Sequence, residues 1–285
     1  KDIEGLDISS WRLSFNGAEA INPETLKRFN ERFERYGLKR TTMFPAYGLA
    51  ESSVALIMPE PNTEVVVDVI DKDILEKEHK AMPATNTSKA VLKYVCVGKA
   101  LPKHHVKIVD EEGEELPERH VGRLIFKGPS MMKEYFNNVE ATRSVMVDGW
   151  FDSGDYAYQA KGAFYITGRK KDIIIKAGRN FYPEEIEEIV SKINGIRKGC
   201  TIAFGAVDKN WATEKLVVVS ETKETQKEAK AKIIAEVIEQ VGAVLGVPPD
   251  DVILIPPGKI PKTSSGKLQR SECKRWYETG QIAGK

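Results

Sequence analysis

The sequence has little cysteine, little histidine and almost no charge bias, and each shortage removes a class of function. Cys96, Cys200 and Cys273 stand far apart without metal-ligand spacing, and any disulfide scheme leaves an odd thiol, so a reducing cytoplasm is the expected compartment. His79, His104, His105 and His120 lie outside the chemical motifs and read as surface or structural residues. No nucleophile elbow and no zinc signature occurs, which argues against hydrolase and metalloenzyme readings. The 43 basic and 42 acidic residues nearly cancel, so no global field recruits nucleic acid or an anionic membrane, and any bound anion must be held locally. A run of about 18 apolar residues, the minimum for a transmembrane segment, is absent. Internal repeats and low-complexity tracts are absent too. The start, Lys1-Asp2-Ile3-Glu4, has neither an initiator Met nor a signal-peptide core, as expected of a piece of a longer chain.

What is present is a 285-residue chain, 41% hydrophobic, long enough for one large domain or two smaller ones. Residues 8 to 60 alternate short apolar strands with helical pattern, the texture of an α/β layer. One helix is legible in detail: Asn22 caps it, Pro23 suits its first position, Leu26, Phe29 and Phe33 form its apolar stripe, and Gly37 ends it. A strand from Thr41 to Pro45 follows. Residues 62 to 90 are polar, with one weak helical pattern around Ile74 and Leu75, and read as an insertion or long loop.

Between 91 and 167, Tyr94 to Val97, Val106 to Val109, Arg123 to Phe126 and Phe164 to Ile166 predict short strands of a small antiparallel barrel or curled sheet. After Arg169 the pattern changes to an α+β domain. It comprises Ile173 to Ile175, a turn at Gly178, and a helix from Pro183 with Ile186, Ile189, Val190 and Ile193 on one face, closed by Asn194-Gly195. Strands at Thr201 to Val207 and Leu216 to Ser220, a long helix over 225 to 245 and a strand at Val252 to Ile255 complete it. The boundary falls near Gly168 to Asp172, giving domains 1–168 (α/β portion 1–90, barrel-like portion 91–168) and 169–285.

Four segments carry candidate chemistry. Tyr47-Gly48-Leu49-Ala50-Glu51 follows a strand, where α/β folds place ligands: Tyr47 could stack on a base, Gly48 admits close backbone approach, and Glu51 offers one hard oxygen to Mg2+. A turn with a core tyrosine and a solvated glutamate is the alternative. Asp148 to Asp155 puts a carboxylate after a glycine turn, able to accept two hydroxyl hydrogen bonds such as a ribose diol offers, or simply forming an Asx turn. Gly168-Arg169-Lys170-Lys171-Asp172 is a basic turn at the boundary, where ligand sites and hinges concentrate. Pro261 to Arg270 is a mobile, hydroxyl-rich loop with a reaching lysine. It differs from a phosphate loop in its glycine spacing, in Leu268 standing where Ser or Thr is required, and in lacking the strand-to-helix context.

In this fixed order, together with Asn16-Gly17-Ala18-Glu19, the segments resemble the adenylate-forming superfamily of acyl-CoA synthetases, fatty acyl-AMP ligases, adenylation domains and luciferases, from about residue 8 to 280. The resemblance implies the end of a large adenylate-forming domain followed by a small mobile C-terminal domain. It implies that Gly17, Ala18, Glu19, Tyr47 and Gly48 frame adenine, that Asp155 and Arg169 hold the ribose, that Glu51 binds Mg2+, that Lys171 is the hinge and that Lys267 is the catalytic lysine. ATP, and AMP as the acyl adenylate, would be the nucleotides, a carboxylic acid the substrate, and CoA or the phosphopantetheine of an acyl carrier protein the acceptor. Leu49-Ala50-Glu51, the insertion-like Val67 to Pro83, Cys96 to Lys99 and Gly178 to Pro183 resemble the fatty acyl-AMP ligases, with acyl-CoA synthetase as the alternative; a non-catalytic module that docks a carrier protein is the reading from another class. Two departures stand out. Ala50 replaces the family's phosphate-contacting Thr, and the family's phosphate-cradling loop is not among the 285 residues, so the chain reads as an incomplete enzyme.

Overall fold

A parallel β-α-β crossover opens the chain. In the computed structural model, which describes residues 3–176, 178–207 and 214–282, β1 (Ser14–Asn16) leads into α1 (Pro23–Phe33), which returns to β2 (Met43–Pro45), and β1 and β2 pair in parallel. The Asn22 side chain accepts from the Thr25 amide, Pro23 occupies the first turn, and Leu26, Phe29 and Phe33 pack inward. A 3₁₀ turn extends α1 to Tyr36 before Gly37 (φ 88°) ends it. The strand predicted from Thr41 is shorter, because Arg40–Thr42 form another 3₁₀ turn.

Next come β3 (Ile57–Met58), β4 (Val67–Asp71) and α2 (Lys72–Glu78). The 62–90 segment is therefore not the long loop that its polarity suggests. Pairing with β5 (Val91–Ala100) satisfies the backbone of β4, and Asp71 caps α2 by accepting from the Ile74 amide. Ile70 and Leu75 are fully buried there. Polarity misled because one face of this edge element is wet.

The sheet continues with β6 (His105–Val109), β7 (Gly122–Lys127), α3 (Val139–Val145), β8 (Met146–Val147), β9 (Trp150–Ala160) and β10 (Ala163–Arg169). Its eight strands are all antiparallel, along the path β3-β5-β10-β9-β7-β6, with β4 on β5 and β8 on β9. The end strands β3 and β6 do not pair among the described residues, so of the two forms expected from the sequence, a small antiparallel barrel or a curled sheet, the structure has the open sheet. Leu56, Ile57, Val97, Leu124, Phe126 and Phe151 form its core. The glycine turn of Asp148-Gly149 joins β8 to β9, and both residues have positive φ (49° and 77°), as a two-residue hairpin requires. Asp155 thus lies within β9, well past that turn.

The chain forms two compact units, 1–170 and 171–285. The second comprises β11 (Ile174–Lys176), β12 (Arg179–Phe181), α4 (Pro183–Ser191), β13 (Ile196–Val207), β14 (Glu214–Thr222), α5 (Lys227–Leu245), β15 (Asp251–Ile255) and α6 (Arg270–Glu278). Helix α4 stops at Ser191, earlier than the Asn194-Gly195 end read from sequence. The β14-α5-β15 crossover places β14 and β15 in parallel, with β13 antiparallel on the other side. Alternate residues of β14 serve two cores: Leu216 and Val218 face α4 and α5, while Val217 and Val219 face Cys200, Ile202 and Cys273. Helix α6 covers the second face. The sequence reading missed it because Cys273 is its one fully buried residue, with Trp276 and Tyr277 adding only partly buried surface.

Candidate nucleotide site

Two turns at the carboxyl ends of β1 and β2 lie side by side, as expected of a ligand-facing edge of parallel strands. The Ala46 amide donates to the Asn16 carbonyl at 2.8 Å. A Cβ on Gly17 would fall 2.5 Å from the Ala46 carbonyl oxygen, and Ala18 has φ 68°. Gly17, Ala18 and Glu19 are exposed on this turn. Gly48 has an internal reason to be glycine: a Cβ there would stand 1.7 Å from the Val54 carbonyl oxygen. The chain's own return strand is the close approach that it admits. That strand fixes Tyr47, whose amide donates to the Ile57 carbonyl at 3.0 Å and whose carbonyl accepts from the Ile57 amide at 2.9 Å.

So held, Tyr47 reaches across 108 residues of sequence to donate its hydroxyl to Asp155 Oδ2 at 2.6 Å. Burial, and then the Asp155 carboxylate, push the phenol well above its ordinary pKa, so it stays a donor. Asp155 is buried, at 7% exposure, and sits just past a positive-φ glycine, Gly154 (φ 72°). Its amide donates to Ser153 Oγ, which in turn donates to the Leu124 carbonyl. Arg169 is its register partner on β10, with Nε 3.4 Å from Asp155 Oδ1. The arginine side chain remains 60% exposed. A fixed carboxylate beneath a reachable guanidinium can accept from a diol while the arginine donates to its oxygens.

Glu51 sits on the 3₁₀ turn Ala50–Ser52, and its Oε1 accepts from the Tyr135 hydroxyl at 2.7 Å. Burial, and then this bond, raise Tyr135 to about 12. The Met132 amide caps the Glu51 carbonyl at 2.7 Å, and Ser130 Oγ donates to the Ser52 carbonyl at 2.8 Å. His104 Nε2 lies 2.7 Å from Ser130 Oγ, so this histidine supports the glutamate's turn from behind. The sequence reading did not single out Tyr135, and His104 is structural, as read there, with Ser130 as a partner that the sequence did not name. Neither contact has a local motif, and only the fold brings residues 84 and 26 positions apart together. No cluster of three or more His, Cys, Asp or Glu able to hold a metal occurs among the described residues. One carboxylate therefore suits Mg2+ only with nucleotide phosphates and water as the other ligands.

The second unit carries the remaining candidates. Lys171 is exposed on the 3₁₀ turn Lys170–Asp172. The loop of Lys267 is bridged by its own bonds. Thr263 N donates to the Lys267 carbonyl at 2.8 Å, the Lys267 amide donates to Thr263 Oγ1 at 3.0 Å, and Lys262 and Leu268 form a bridge. The Lys267 ammonium makes no ion pair among the described residues.

Residues 1–136 match the AMP-binding enzyme family, and residues 171–284 match the AMP domain of the Disco-interacting protein 2-like family. The chain is 32% identical over 291 residues to the medium-chain-fatty-acid–[acyl-carrier-protein] ligase JamA of Moorena producens, with 97% of this chain and 49% of JamA covered. It is 31% identical over 321 residues to the long-chain-fatty-acid–AMP ligase FadD32 of Mycobacterium marinum, covering 99% of this chain and 51% of FadD32. A solved chain from work on fatty acyl-adenylate ligases of E. coli and L. pneumophila superposes with a TM-score of 0.89 at 37% identity, over 96% of this chain and 48% of that one. The chain thus spans about half the length of the curated relatives that it matches. It belongs to the AMP-binding family of adenylate-forming enzymes.

Proposed function

We propose that the protein containing this chain activates a fatty acid with ATP and passes the acyl group to the phosphopantetheine thiol of a carrier protein. In the first step a carboxylate oxygen attacks the α-phosphorus, the bond to the β-phosphate oxygen breaks, and pyrophosphate leaves. In the second the thiolate attacks the acyl carbon and AMP leaves. The carrying observation is Asp155, buried, oriented by Tyr47 and flanked by an exposed Arg169, a pair suited to a ribose diol. Gly17, Ala18, Glu19 and the ring of Tyr47 would border the base. Glu51 would take one position on Mg2+, whose charge offsets that of the departing pyrophosphate. Lys267 would neutralise charge between the attacking carboxylate and the α-phosphate. Lys171, at the start of the second unit, would act as the hinge between domains 1–168 and 169–285.

The acceptor assignment draws on JamA, named for an acyl-carrier-protein ligase, and on the resemblance of Val67 to Pro83 to the fatty acyl-AMP ligases read from the sequence. Its test is acid-dependent ATP–pyrophosphate exchange by the full-length protein over a panel of acids, followed by transfer to CoA and to a phosphopantetheinylated carrier protein in parallel. Exchange with transfer to the carrier alone is the expected outcome. Transfer to CoA at an equal rate would favour an acyl-CoA synthetase, and no exchange with any acid would leave only a docking module.

A further inference from the structure

Arg270 lies three positions after Lys267, as the first residue of α6, and is only 18% exposed. It meets three carboxylates from two other elements. Its Nε and an Nη grip both oxygens of Glu187 at 2.9 and 2.7 Å, the same Nη stands 3.2 Å from Glu184, and the other donates to Asp172 at 3.4 Å. Glu184 and Glu187 lie on α4, whereas Asp172 directly follows Lys171. One turn further along α6, Lys274 stands 3.8 Å from Glu214, whose Oε2 accepts from the Ile175 amide. Positions 270 and 274 share a helix face. That face is therefore tied twice to the segment 172–175.

We propose that Arg270 is a positioning residue that couples the lysine loop to the first residues after the hinge, so that the Lys267 turn and Asp172 move as one body. The idea rests on the reading of Lys267 as the adenylating lysine. A lysine on a turn anchored only at its own ends would sample positions wider than the sub-ångström placement that charge neutralisation needs. The guanidinium supplies the missing anchor, because a bidentate pair fixes orientation as well as distance. Charge balance within the cluster adds a signature. Three carboxylates face one arginine, and burial outweighs the Arg270 bonds to raise Glu187 to about 7, with Glu184 beside it on α4, Asp172 on the hinge-side turn, Cys273 on α6 and the Ala203 amide of β13 completing its surroundings.

The test uses the full-length protein and separates the half-reactions. Arg270→Met is expected to lower kcat of ATP–pyrophosphate exchange by about 30-fold, with KM for ATP and acid within about twofold, since a misplaced group costs rate and not binding. Arg270→Lys, which reaches one carboxylate, is expected to recover part of the loss, and transfer from supplied acyl adenylate is expected to stay near the parent rate. Should Arg270→Met not fold, Asp172→Asn decides, because it breaks the hinge-side arm and leaves the Glu187 grip. Its expected effect is a loss of about fivefold in kcat at unchanged Tm. A folded Arg270→Met or Asp172→Asn with exchange within twofold of the parent would overturn the proposal. Lys267→Ala run in parallel separates the failures: full exchange by that variant would remove the adenylating role itself, whatever Arg270 does.

Discussion

In the first unit Arg169 faces Asp155 at 3.4 Å with 60% of its side chain exposed, whereas in the second Arg270 holds Glu187 through bonds of 2.9 and 2.7 Å with 18% exposed. The difference lies in what each pair can still do. Asp155 has its orientation supplied by a tyrosine, a neutral donor, so its arginine is left with donors turned to solvent and available to a ligand. Arg270 spends its donors on protein carboxylates and becomes a strut. Composition cannot separate the two cases, because both are Arg-carboxylate pairs near glycine-containing turns. Geometry separates them through burial and bond number.

The first way to sharpen the contrast uses the glycines that shape each region. Gly48→Ala drives a Cβ to 1.7 Å from the Val54 carbonyl, so a stability loss of about 3–5 kcal/mol is expected in chemical denaturation, among the largest for a single substitution. Gly266→Ala on the lysine turn meets open space and costs only the strain of φ 89°, about 1–2 kcal/mol. Equal losses would mean that the nucleotide-side turn is no more tightly built than the lysine turn.

The second exploits the net negative charge of the strut. Glu187 has a folded pKa raised to about 7 from its ordinary 4.5, so between those values the native state binds the extra proton. The group's contribution to stability is thus fully present below about pH 4.5 and is lost as pH rises through about 7, a change of about 3 kcal/mol. Denaturation midpoints from pH 5 to 8 are expected to show this decline, and Glu187→Gln is expected to flatten it. A variant with the parent's slope would assign the titration to another group.

The smallest effect concerns tyrosine. Tyr47→Phe leaves buried Asp155 without its hydroxyl donor and is expected to cost about 1–3 kcal/mol. Tyr156→Phe, which loses a bond to the exposed side chain of Glu111, is expected to cost under about 1 kcal/mol. A reversal of that order would contradict the buried, oriented carboxylate.

Much of this architecture was legible in local sequence. The Asn22-Pro23 start and the apolar stripe of α1 announce that helix, and the apolar run from Leu216 to Val219 announces the strand β14. Long-range register stayed hidden. The Tyr47–Asp155 bond needs β9 and β10 aligned through β5 with the β3 return, and Asp155 looked like a turn residue because it follows Gly154, which has a positive φ within β9. The polar surface of β4 and α2 concealed two buried anchors, Ile70 and Leu75, and the narrow apolar face of α6 concealed the helix that carries Arg270. Residue types announced candidate ligands, but which arginine is available and which is committed emerged only from packing.

The most direct measurement of the central claim compares the full-length protein with its Lys267→Ala variant in both half-reactions. Acid-dependent ATP–pyrophosphate exchange by the parent, reduced at least about 100-fold in the variant while transfer from supplied acyl adenylate persists, is the predicted result. Undiminished exchange by Lys267→Ala, or a parent without acid-dependent exchange, would contradict it.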